Sequence, residues 1–287
     1  MALVTLEEIL RSTRKEKYAV GSFNAANHSM AEAILSVSEE LGLPVILGLA
    51  EVQFRYVDLE RFVPYLRQRI EGMATPVALH LDHGLSLETV YRGLDLGFSS
   101  VMIDASSFPY EENVALTRQV VRRARSYGAS VEAELGQVGG GEGNLEQGTE
   151  ADAAGYTDPS QARDFVENTG IDALAVSIGT VHGPFKGKPR LDLERLAEIR
   201  SLVEVPLVLH GGSGLSEDDF RRAVACGISK INVFTETSLG AAGALRELLA
   251  KGTPLGYPDL TTAAEKRIRD IVRGQLRVFG TPALKSV

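Results

Sequence analysis

Short runs of β-branched and apolar residues alternate with longer amphipathic stretches along the whole chain, a pattern that predicts a parallel sheet with crossover helices. Eight runs read as strands: Ala19–Asn24, Pro44–Leu49, Val77–Leu81, Ser100–Asp104, Ser130–Leu135, Ala173–Ile178, Pro206–His210 and Lys230–Val233. Between them, segments such as Glu111–Tyr127 set Val114, Val121 and Ala124 against Arg118, Arg122 and Arg125, as expected of helices that cover a sheet with one face. Eight alternations predict an α/β chain closed into one (β/α)8 (TIM) barrel, a fold of about 250 residues, here a single domain over residues 1–287. A doubly wound open sheet is the alternative. It would usually carry a nucleotide-binding loop after its first strand, and Phe23-Asn24-Ala25-Ala26-Asn27 is not one. Two long glycine-rich loops interrupt the rhythm, an acidic one over Leu135–Pro159 and a basic one over Gly179–Arg190, and both are expected to be lids over a site. Two more helices follow the eighth strand, Thr237–Lys251 and Leu260–Val278. The second is an additional C-terminal helix expected to pack on the barrel or on a partner subunit.

Composition narrows the function classes. A net charge of −8 argues against nucleic acid as a partner, although a local cationic pocket for phosphate stays compatible with it. No apolar run approaches the roughly 18 residues that span a bilayer, and MALVTLEEILRSTRKEK carries acids and bases on a helical pattern. Neither a membrane anchor nor a signal peptide is therefore expected. One cysteine, Cys226, fits a reducing compartment, and a cytoplasmic protein is predicted.

In a (β/α)8 barrel, the residues that close each strand converge on the catalytic face. Four of the five histidines fall in or beside such strand ends, together with Asp82, Asp104, Glu132 and Glu134. Three imidazoles from three strands supply the open geometry of a catalytic zinc, with His83, His182 and His210 as ligands. His80 lies three residues before His83, so strand alternation predicts that the two point to opposite sides of the sheet and that His80 is structural or supports the ligands from behind. Gly179 and Gly183 flank His182. Gly211-Gly212-Ser213-Gly214 follows His210 and precedes a helix near Ser216, an arrangement that suits a phosphate cradle of backbone N–H groups at a helix N-terminus. Asn232 and Thr235 close the eighth strand beside it.

The strings HLDHG, SVMIDAS, VEAELGQVGG, SIGTVHG, VLHGGSG and INVFTET, in this order across nearly the whole chain, resemble the class II fructose- and tagatose-bisphosphate aldolase family, and IVRGQLRVFGTP is similar to its C-terminal helix. The resemblance implies reversible cleavage of a ketose phosphate to dihydroxyacetone phosphate and an aldehyde. It implies that His83, His182 and His210 hold a catalytic Zn2+, that Asp82 is the acid/base beside it, and that Asp104 and Glu134 hold a second divalent metal. It also implies that Glu142 is a loop acid that moves a proton on the donor carbon. Gly183, Gly211, Gly212, Ser213, Asn232 and Thr235 would then bind the phosphate and carbon skeleton of the substrate, with a monovalent cation (Na+ or K+) nearby. A homodimer or homotetramer is the implied assembly.

Two positions depart from the family pattern. A serine after the second strand and an arginine before the last helix, which serve a second phosphate in such enzymes, stand here as Ala50 and Asp259. An aspartate in place of an arginine repels phosphate, so fructose 1,6-bisphosphate is not expected to be the preferred substrate. A fructose- or tagatose-1,6-bisphosphate aldolase proper is the alternative. A zinc hydrolase and a non-catalytic barrel subunit are weaker readings, and a Schiff-base aldolase weaker still, because Lys230 stands at the start of its predicted strand.

Overall fold

A computed structural model describes residues 2–140, 150–252 and 254–283. Two short helices, α1 (Leu6–Leu10) and α2 (Thr13–Glu16), precede strand β1 (Val20–Asn24). Then α3 (His28–Leu41), β2 (Val45–Ala50), α4 (Leu59–Glu71), β3 (Val77–Gly84), α5 (Leu87–Leu96), β4 (Ser100–Ile103), α6 (Tyr110–Arg125) and β5 (Ser130–Leu135) alternate. The second half continues with α7 (Pro159–Thr169), β6 (Ala173–Val176), α8 (Leu193–Leu202), β7 (Leu207–Leu209), α9 (Glu217–Ala225), β8 (Ile228–Val233), α10 (Thr235–Ala250) and α11 (Tyr257–Val278). The strands pair in parallel in sequence order, and β1 also pairs with β8, so the sheet closes into the predicted barrel.

Closure buries both faces of every strand. Residues such as Phe23, Leu47, Leu79 and Leu207 join the helices in the large core outside the barrel. Inside, Val20, Ile46, Ala78, Met102, Ala173, Ala175 and Val208 form an apolar layer against Leu6, Ile9 and Leu10 of α1. Helix α1 thus plugs the N-terminal mouth. Each fully buried aliphatic side chain contributes about 1.5–3 kcal/mol, so this layer helps offset the cost of the charged groups buried nearer the other end.

Local chemistry sets the helix starts. Asn27 accepts from Met30 N at the head of α3, Ser86 from Thr89 N at the head of α5, and Asp158 caps α7, where Pro159 takes the first turn. The last helix packs on α3 and α10 through a face that includes Ile268, Ile271, Val272 and Leu276, with Arg273 paired to Glu40 at 2.8 Å. It begins at Tyr257, three residues earlier than the hydrophobic pattern predicts. Asp259 therefore lies in its first turn, where Oδ2 accepts from Gly256 N at 2.8 Å.

Candidate active site and metal centre

The pairing of β3 with β4 steps from Leu81↔Val101 to Gly84↔Ile103, three residues against two. This bulge puts His83 at φ 42°, a left-handed conformation that non-glycine residues adopt only under constraint. Here the structure corrects the alternation argument: His80, Asp82 and His83 all turn into the barrel. His80 Nε2 lies 3.8 Å from Asp82 Oδ1, while His83 Nε2 lies 2.9 Å from His210 Nδ1. His80 is nonetheless outside the histidine group, as expected, with Nδ1 on Ser100 Oγ at 2.8 Å.

One ligand atom each from His83, His182 and His210 lies within 4.8 Å of the others. His83 Nδ1 is 2.8 Å from Asp104 Oδ2, and His210 Nε2 is 2.8 Å from Glu132 Oε1. An ionised carboxylate only accepts, so both ring nitrogens donate, and in neutral rings the opposite nitrogens carry lone pairs. Those nitrogens, His83 Nε2 and His210 Nδ1, are the two that face each other across 2.9 Å. Converging lone pairs, oriented from behind by carboxylates, fit a divalent metal that favours nitrogen. Burial, followed by the field of His83, holds the pKa of both His182 and His210 below the ordinary imidazole range, so both stay neutral and able to ligate. A second group, His83, Asp104 and Glu134, adjoins the first.

Asp82 is sealed between two amides: Asn24 Nδ2 donates to Oδ2 at 2.8 Å and Asn232 Nδ2 to Oδ1 at 2.9 Å. Burial opposes its ionisation, but the fields of His83 and Lys230 outweigh burial and hold the carboxyl well below the usual carboxylate range. Gly48 makes the arrangement fit, since a Cβ there would sit 2.1 Å from Asn24 Oδ1. Beside Asp82 opens a small cleft lined by His182, Gly183, His210, Gly211, Gly212, Ser213, Asn232 and Thr235, with Asn24 and Phe234. The close approach of Gly211 to the loop after β6 is steric: at φ 66° its Cβ would lie 2.5 Å from the Val181 carbonyl. The helix N-terminus at this cleft is that of α10, not the one near Ser216. Ser216 and Asp219 cap α9 reciprocally, whereas α10 starts at Thr235 with no side-chain cap.

The model of the family described as "Fructose-bisphosphate aldolase class-II" matches residues 4–283. The chain belongs to that family. It is an aldehyde-lyase family whose members use a divalent metal and act on phosphorylated sugars. A fructose-bisphosphate aldolase of Geobacillus stearothermophilus is 44% identical over 285 residues, 98% of each chain, and one of Staphylococcus epidermidis is 43% identical over 288 residues, again 98% of each. Among solved structures, the YdjI aldolase of Escherichia coli K12 superposes with a TM-score of 0.87 at 33% identity, covering 97% of this chain and 98% of that one. These names favour the bisphosphate alternative over the expectation drawn from Ala50 and Asp259.

Of the site residues anticipated from sequence, Asp82, Asp104, Glu134 and the three histidines come together on the C-terminal side of the barrel, and the substrate-binding set lines one cleft. Glu142 lies outside the described residues. Asn24 and Glu132 carry more of the geometry than sequence reasoning assigned them. Lys230 is also placed differently. Because β8 begins at Ile228, its side chain is fully buried inside the barrel and donates to both Glu132 oxygens, at 2.8 and 3.0 Å.

Glu134 has a consequence for stability. Burial first, and the charge of Asp104 second, push its carboxyl up to about 8 from 4.5, and Oε2 has no hydrogen-bond partner among the described residues. A folded-state pKa above the unfolded one stabilises below the unfolded value and is lost as pH rises through the folded value. The buried neutral imidazoles His80, His182 and His210 act oppositely, losing stability as pH falls below about 6.5. Metal-free protein is therefore expected to lose thermal stability between pH 6.5 and 8, and Glu134→Gln to flatten that slope. Unfolding scans in chelator across this range check it; an unchanged slope in the variant would remove Glu134 as the cause.

Proposed function

We propose that the chain is a zinc-dependent aldolase that cleaves a ketose phosphate reversibly to dihydroxyacetone phosphate and an aldehyde, working in the cytoplasm as one barrel domain. The observation that carries this reading is a carboxylate, Asp82, fixed by two amides beside three imidazoles whose ring nitrogens converge. His83, His182 and His210 would hold Zn2+, with Asp104 and Glu134 beside His83 suited to a second divalent ion. When bound, the metal supplies a Lewis acid for the C2 carbonyl oxygen, which takes up the electron pair released as the C3–C4 bond breaks. Asp82 accepts the C4 hydroxyl proton as the aldehyde departs, and Asn24 and Asn232 keep its oxygens aimed. Glu142 returns a proton to C3. Backbone N–H groups of Gly183 and the Gly211-Gly212-Ser213 turn, with the N-terminus of α10 at Thr235, hold the phosphate, assisted by a monovalent cation. The assembly is a homodimer or homotetramer.

Fructose 1,6-bisphosphate is the substrate we favour. Relatives at 43–44% identity bear that name. Ala50 is fully buried with its N–H on Gln53 Oε1 at 3.2 Å, and the Asp259 carboxylate caps Gly256. A coupled assay for dihydroxyacetone phosphate over a panel of ketose 1-phosphates and 1,6-bisphosphates is expected to give the highest kcat/KM with a bisphosphate. A ketose 1-phosphate with an uncharged tail ranking first would overturn the substrate and leave the aldolase reaction standing. No dihydroxyacetone phosphate from any ketose would remove the reaction itself.

A further inference from the structure

Beneath the three-histidine group, the barrel interior holds a buried ionic cluster that the reaction does not call upon. Lys230, Glu132 and His80 are all fully buried. Lys230 Nζ lies 2.8 and 3.0 Å from the two Glu132 oxygens and 3.4 Å from His80 Nε2. Desolvating such a pair costs free energy that an apolar layer would not, and the same barrel does use an apolar layer around Val20, Ile46 and Val208. What distinguishes the ionic layer is its upward contact, because Glu132 Oε1 also accepts from His210 Nε2 at 2.8 Å.

We propose that Glu132, held by Lys230, is a positioning residue that dictates which nitrogen of His210 faces the metal site, and thereby sets metal affinity and coordination. The inference rests on the reading that His210 is a ligand. Glu132 has no donor to offer, so His210 Nε2 must carry the ring proton and Nδ1 must present its lone pair toward His83 Nε2, 2.9 Å away. Asn232 Nδ2, 3.1 Å from the same Nδ1, is oriented to donate to it. Lys230 can only donate, and its contact with both carboxylate oxygens keeps them as acceptors. The cluster thus specifies a tautomer from below, while Asp104 does the same for His83 from the side. Carboxylates in this position behind metal-bound histidines are worth about 10–100-fold in metal affinity or activity.

The test uses the whole protein and reads metal binding directly. In E132Q the new side chain has one acceptor oxygen for two donors, Lys230 Nζ and His210 Nε2–H. The charged lysine takes the oxygen, the amide NH2 turns to His210, and the ring proton is driven to Nδ1, against the metal. Zinc affinity, measured by competition with a chromophoric chelator, is expected to fall by about 10–100-fold, and the visible spectrum of the Co2+-loaded protein to change. E132Q/K230M removes the competing donor, frees the amide oxygen for His210, and is expected to regain most of that affinity and the original Co2+ spectrum. A purely structural ion pair would lower thermal stability in both variants and move neither metal readout. Wild-type affinity and spectrum in E132Q, or no recovery in the double variant, overturns the proposal. If E132Q does not fold, two charge-free proteins replace it: E132Q/K230M, which keeps the acceptor, is expected to bind zinc about tenfold or more tightly than E132L/K230M, which lacks it. Equal affinities would overturn the proposal. His83→Ala serves as the control. Unchanged zinc binding there defeats the metal-site reading itself, whereas loss there with an unaltered E132Q defeats only the role of Glu132.

Discussion

Replacing Asp82 by asparagine is expected to lower kcat by about 10²–10⁴-fold, the usual contribution of a positioned acid/base, with KM changed far less. The substitution removes the charge and keeps the shape. It also leaves the network able to satisfy itself. Asn24 Oδ1 is buried without a hydrogen-bond partner among the described residues, so that amide can turn over and accept from the new NH2 group, while Asn232 keeps donating to the remaining oxygen and to His210 Nδ1. The fold and the three histidines should therefore survive, and zinc stoichiometry should remain as in the wild type. Alanine at the same position would instead leave both amides without the carboxylate they now share, mixing a structural loss with the chemical one. Steady-state kinetics on the asparagine variant, with metal content measured on the same sample, separate the two. Retention of more than about a tenth of wild-type kcat would assign proton transfer to another group, since a general acid/base accounts for at least about 10²-fold.

Removing the divalent metal is expected to abolish cleavage altogether, and adding Zn2+ to restore it. His83 Nε2 and His210 Nδ1 lie 2.9 Å apart, and with both rings neutral their lone pairs point to the place a cation would take. Binding to the folded state alone stabilises it by about 2.7 kcal/mol when free metal is at 100 times Kd. For a chain of this size that corresponds to a rise in Tm of roughly 5–10 °C, taking about 2–4 °C per kcal/mol. Calorimetry of the metal-free protein with and without Zn2+ gives this readout independently of activity. Alanine at His83, His182 or His210 should each diminish both the shift and the bound zinc. Full activity in protein verified to be metal-free would end the metal-dependent reading.

The barrel was legible because each strand is a short apolar run bounded by turn residues, and because eight such runs alternate with amphipathic segments. Those are properties of neighbouring residues. The strand ends were legible as a site for the same reason: a polar residue closing an apolar run, as Asp82, Glu134 and His210 do, is a local signal. Asn24 closes β1 in the same way and could have been read by that rule. The family strings added the roles.

The orientation of His83 was not legible, because period-two alternation holds only while both strands of a pair advance together, and β3 spends three residues where β4 spends two. That bulge is a property of the pair and leaves no mark on β3 alone. The placement of Lys230 depended on where β8 begins, and Ile228 enters the strand only because β7 is there to pair with it. The choice between α9 and α10 as the helix whose N-terminus stands open at the cleft turned on which one is already capped, a matter of side-chain geometry at Ser216 and Asp219. Sequence by itself determined the periodic elements, their order and the chemical types at the strand ends, since these depend on residues close in the chain. Tertiary structure alone decided which nitrogen faces which oxygen across the barrel. Glu132 and His210 lie 78 residues apart, and their 2.8 Å contact exists only once the sheet has closed.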